Sequence, residues 1–185
     1  MVPIVAVRSV LEAGEGIEDF IDAAVLVSWT QPDARFLIVD HVEHDATGRP
    51  ADLASRLYRQ RILDRIRRVG LHETIRVIDS PINVPRLLGQ CNIAVAPSPK
   101  EFHARECEEW MAAGVPVVAA RSAHATDAIT DGENGLLVPP SDPQQLATEI
   151  VRLLRAPDLA ARVAAAARRS LAPPGGADHH AMAYG

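Results

Sequence analysis

Glu101 and Glu109 are the residues of this chain whose type and spacing could do chemistry. They lie eight positions apart, the first in a loop and the second inside the helical pattern that follows. Both carboxylates can therefore face one crevice and accept hydrogen bonds from a polar ligand. Lys100, His103 and Arg105 place positive or protonatable groups beside them. Taken on spacing alone, a solvated loop residue and a solvated helix residue explain the pair better than a ligand does. The motifs around the pair reverse that order.

Those motifs belong to elements that must position the pair. Apolar, β-branched runs at Ile4 to Val10, Phe36 to Val39, Ile75 to Ile78, Ile93 to Ala96, Val115 to Ala119 and Leu136 to Val138 read as short buried strands. Amphipathic stretches separate them: Ile17 to Trp29, Leu53 to Val69 (with Leu57, Tyr58, Ile62 and Ile66 on one side), Pro85 to Gln90, Ala104 to Ala113 and Gln144 to Leu154. Ala160 to Ala167 is a strong helix former. Strand and helix in alternation predict an α/β, Rossmann-like, doubly wound parallel sheet of about six strands, with crevices at the strand ends. One domain is expected over residues 1–172. Residues 41–50 read as a long polar loop, and 173–185 as a tail holding a truncated helix start.

Composition narrows the function. A chain of 185 residues, 48% hydrophobic, buries one good core. A formal charge of -5 offers no basic field for nucleic acid. No run is long and apolar enough to span a membrane, and no signal peptide opens the chain, so the expected compartment is the cytoplasm. Cys91 and Cys107 sit in apolar patterns and read as core residues. Adjacent His179 and His180 do not share a helix face, which argues against a metal. The run Arg59, Arg61, Arg65, Arg67 and Arg68 reads as a solvated face. Trp29 is expected to close the apolar face of its helix, and Trp110 to pack beside Met111.

The run from Arg35 to Leu171 resembles the C-terminal, nucleotide-sugar-binding domain of the retaining group-1 glycosyltransferases, the second of the two Rossmann-like domains of the GT-B fold. The resemblance rests on Pro-Asp-Ala-Arg-Phe-Leu-Ile-Val (32–39), Ala-Val-Ala-Pro-Ser (94–98), Glu101 with seven residues before Glu109, Met-Ala-Ala-Gly-Val-Pro-Val-Val (111–118), and Asp-Gly-Glu-Asn-Gly-Leu-Leu-Val-Pro-Pro (131–140). It implies that Glu109 accepts hydrogen bonds from ribose hydroxyls and that Glu101 faces the donor sugar. Arg8, Arg105 and the helix opening at Ala104, with Lys100 and His103 beside it, would meet the diphosphate. It further implies a metal-independent hexosyl transfer with no cofactor beyond the sugar nucleotide, in which the protein stabilises a departing nucleotide electrostatically. For Arg105 a solvated side chain, or a salt bridge to Glu108 or Glu109, is an equal alternative.

The chain departs from that pattern at several points. Glu15-Gly16 stands where Lys-Gly is expected, and a carboxylate there would repel phosphates. Phe102-His103-Ala104 replaces Gly-Phe-Gly, Ala123 to Asp127 replaces Gly-Gly-x-Pro-Glu, and Asp40 and Asp79 replace glycines after the second and third strands. His124 falls at the same crevice, where a packed or solvated histidine is the simpler reading. The acceptor-binding N-terminal domain of the family is missing from this sequence, so a longer parent enzyme, a partner chain, or loss of transfer by the isolated domain are the expectations. Two functions follow: a nucleoside-diphosphate-sugar donor domain, or a catalytically degenerate relative that binds a protein or another anion.

Overall fold

The computed structural model describes residues 2–9, 11–40, 53–79, 84–100 and 103–171. Glu101, Phe102, the long loop at 41–50 and the tail at 173–185 with its histidine pair lie outside them. In chain order the elements are β1 (Ile4–Ser9), α1 (Ile17–Thr30), β2 (Arg35–Asp40), α2 (Leu53–Arg68), β3 (Ile75–Asp79), α3 (Val84–Leu88) and β4 (Ile93–Ala96). They continue with α4 (Ala104–Ala113), β5 (Val117–Ala120), α5 (Ala123–Ala128), β6 (Leu136–Val138), α6 (Pro143–Arg155) and α7 (Pro157–Ser170).

The strands form one parallel sheet in the order β3-β2-β1-β4-β5-β6. Strand order reverses between β1 and β4, and this switch point opens a crevice at the C-terminal strand ends. Alternation along β1 assigns the two faces: Val5 and Val7 pack against α1, α2 and α6 through Phe20, Ile62 and Ile150, while Ala6 joins Cys107, Trp110 and Met111 of α4. Arg8 follows Ala6 by two positions and so lies on the α4 face.

Local chemistry moves some boundaries from those expected. β5 starts at Val117 because Pro116 has no N–H; its carbonyl still accepts from the Ala94 N–H at 3.0 Å. α5 was not anticipated; it is nucleated by the Ser122 hydroxyl, which accepts from the Ala125 N–H at 3.1 Å. Three packing expectations are corrected. The stripe of α2 is Tyr58, Ile62 and Ile66 at helical spacing, which turns Leu57 outward. Trp29 is 75% exposed, because the last buried residue of α1 is Val27. The arginines of α2 are not all solvated: Arg65 binds Asp22 at 2.7 Å, and Arg59 binds Asp40 and, at 2.9 Å, Asp79.

Candidate functional site

At the switch point the end of β1 meets α4. Arg8 Nη1 donates to Glu109 Oε2, and Arg8 Nε lies 3.9 Å from Glu106 Oε1. The two glutamates share one helix face because they are three residues apart. The Arg8 side chain is mostly buried and that of Glu109 is about one-third exposed. Arg105 Nε lies 3.5 Å from Glu109 Oε1 with its side chain 92% exposed, so the structure realises the salt-bridge alternative.

Two loops complete the cleft. From the β4–α4 connection, Lys100 Nζ donates to the Ala13 carbonyl at 2.9 Å, and His103 Nε2 lies 3.3 Å from Glu15 Oε2. His103 is the N-cap of α4 but its side chain takes no hydrogen bond from the first turn, which opens at Ala104. Beneath these groups Ser9 and Ser98 are buried. The cleft bounded by Arg8, Ser9, Glu15, Ser98, His103 and Glu106 encloses about 20 Å³, room for one or two waters. Cys107 also lines it, and burial, reinforced by Glu106 and Glu108, pushes its thiol up to about 12. It is a packing group there and not a nucleophile.

Of the expected residues, Arg8 and His103 line the cleft, Glu109 pairs with Arg8 and Arg105 with Glu109 at its rim, Ala104 opens α4 behind His103, and Lys100 is held by the Ala13 carbonyl. Glu101 lies outside the described residues. His124 is exposed on α5 and is not among the residues that line the cleft. Glu106 was missed, although its three-residue spacing from Glu109 carried the signal. Glu15, expected only to repel phosphates, lies against His103. Its partner is 88 residues away and had no signature in the sequence.

A second ionic cluster sits at the ends of β2 and β3. Asp40 and Asp79 are direct cross-strand partners on one face of the sheet, and Arg59 of α2 binds both. Asp40 is fully buried, and the guanidinium that bridges it to Asp79 offsets the repulsion of the two like charges. Among the described residues no three His, Cys, Asp or Glu side chains are placed to hold a metal ion, and no helix is long and apolar enough to cross a membrane.

Comparison with known proteins gives this arrangement its setting. The model of the family Glycosyl transferases group 1 matches residues 2–170. The chain is 38% identical over 94 residues to D-inositol 3-phosphate glycosyltransferase 2 of Catenulispora acidiphila, covering 49% of this chain and 22% of that protein. It is 29% identical over 164 residues to the alpha-D-kanosaminyltransferase of Streptomyces kanamyceticus, covering 88% and 39%. Among solved structures, Anabaena Alr3699/HepE in complex with UDP superposes with a TM-score of 0.78 at 26% identity, covering 90% of this chain and 43% of that one. The chain therefore spans less than half the length of these relatives.

Proposed function

Because the chain belongs to the group 1 glycosyl transferases, we propose that it is the donor-binding domain of such an enzyme, taking a nucleoside-diphosphate sugar across the β1/β4 switch point. The observation that carries this reading is the Arg8–Glu109 pair, which sets a cation and a carboxylate side by side at the crevice. Glu109 exchanges Arg105 for ribose hydroxyls, since a carboxylate has lone pairs for more than one donor. Arg8, Lys100, His103 and the first turn of α4 face the diphosphate and stabilise the charge that develops as it leaves. By its place in the motif, Glu101 serves the sugar. The structures of Alr3699/HepE with UDP and UDP-glucose support a nucleotide sugar as the ligand.

Transfer to an acceptor is proposed to be retaining, metal-independent and free of other cofactors. It requires a second domain or a partner chain, in keeping with the half-length match. The cytoplasm is the compartment proposed, supported by two cysteines that are buried and free. Calorimetric titration of the chain with UDP, GDP and ADP tests the reading: one of the three binds at a single site. Absence of binding at millimolar nucleotide favours the second reading, a degenerate relative. That reading draws on one specific observation, the engagement of Arg8, Lys100 and His103 by the chain's own oxygens.

A further inference from the structure

We propose that Glu15 is a tethered anion: its carboxylate takes the place of a donor phosphate, so that donor binding is an exchange and Glu15 sets its strength. This rests on the donor reading above. Three heads that could meet a diphosphate lie at the cleft, Arg8 on β1 and Lys100 and His103 on the β4–α4 connection, and each meets an oxygen of the protein. Arg8 binds Glu109 and lies near Glu106, Lys100 Nζ donates to the Ala13 carbonyl, and His103 Nε2 meets Glu15. Two of these oxygens, those of Ala13 and Glu15, come from the β1–α1 loop.

That loop is laid on the β4–α4 connection by its backbone. Gly16, the N-cap of α1, has φ 76°, and a Cβ there would fall 2.4 Å from the Pro97 carbonyl oxygen. At Gly14, φ 90°, a Cβ would fall 2.1 Å from Lys100 Nζ. At Gly16 the backbone contact requires glycine, while at Gly14 the positive φ favours it and the Lys100 tip could shift. This approach delivers the Glu15 side chain, 12% exposed, into the wall of the cleft.

A carboxylate so little exposed is tolerable where a partner offsets its desolvation, and His103 is that partner. With Glu106 and Glu109 close by, an arriving diphosphate meets three carboxylates, and the His103 and Lys100 heads are already held by oxygens of the β1–α1 loop. Phosphate oxygens must therefore displace Glu15 from His103 and the Ala13 carbonyl from Lys100. Neutralising Glu15 removes both the competitor and the repulsion. The unusual expectation is a variant that loses a carboxylate contact to His103 and binds its ligand more tightly.

The test titrates pyrophosphate and UDP separately into the wild-type chain and Glu15→Gln by calorimetry, with Glu15→Ser as the second variant should Gln disturb folding and near-UV circular dichroism to check the fold. Both ligands are expected to bind the variant at least tenfold more tightly, with no gain in thermal stability. Equal or weaker UDP binding by the variant overturns the role of Glu15 and leaves the donor reading standing. Tighter pyrophosphate with no UDP binding to either protein keeps the role and removes the nucleotide. If neither ligand binds any of the proteins, both ideas fall.

Discussion

The guanidinium of Arg8 donates to the carboxylate of Glu109 across 101 residues of sequence, joining the end of β1 to the middle of α4 at the point where strand order reverses. The Arg8 side chain is only 9% exposed, so the contact has a structural part to play. Replacing Arg8 by Ala leaves Glu106 and Glu109 facing each other without it, and is expected to lower stability by about 2–3 kcal/mol in urea unfolding. Arg8→Lys restores only part, because an ammonium lacks the planar fork that reaches Glu106 and Glu109 together. An unchanged midpoint for Arg8→Ala would contradict the arrangement.

The cluster at Asp40, Asp79 and Arg59 makes a sharper prediction. With Arg59→Ala, the fully buried Asp40 loses its bridge beside a second carboxylate, and stability falls by roughly 3 kcal/mol. Adding Asp40→Gly to that variant recovers part of the loss, because the buried charge beside Asp79 is gone. A double-mutant cycle measured by denaturant unfolding reads the coupling directly. Additive effects of the two substitutions would show that Arg59 does not bridge the strand ends.

How far the sequence reveals this molecule depends on whether a signal is local. β4, β6 and α4 lie where β-branched runs and helical spacing put them, and the buried Cys107, Trp110 and Met111 follow from that spacing. α5 escaped notice because Ala123 to Ala128 has no apolar period, and its only mark is the Ser122 cap. The contacts that shape the site are not local. Asp40 and Asp79 look like lost glycines until Arg59 is seen to bind them, and Glu15 looks merely repulsive until His103 is found against it. Pairs this distant are made by the crossover of the sheet and leave no spacing to read.

Cys107 ties stability to alkaline pH. Its thiol titrates near 9 when free and is pushed up to about 12 by burial, then by Glu106 and Glu108. The fold thus favours the neutral thiol: that contribution is fully present below pH 9 and is lost as pH rises from 9 through about 12. Unfolding midpoints of the chain should fall across this window. Cys107→Ala should be less stable at pH 7 from the cavity but show a shallower fall above pH 9. Parallel alkaline slopes for the two proteins would exclude Cys107 as a source.

The donor site itself is tested most directly by calorimetric titration of the chain and of Glu109→Ala with UDP. A single saturable site is predicted, weakened at least tenfold by the substitution while near-UV circular dichroism stays native, since about 1.4 kcal/mol corresponds to one charged hydrogen bond to ribose. Equal affinity of the two proteins for UDP would contradict the placement of the nucleotide at Glu109.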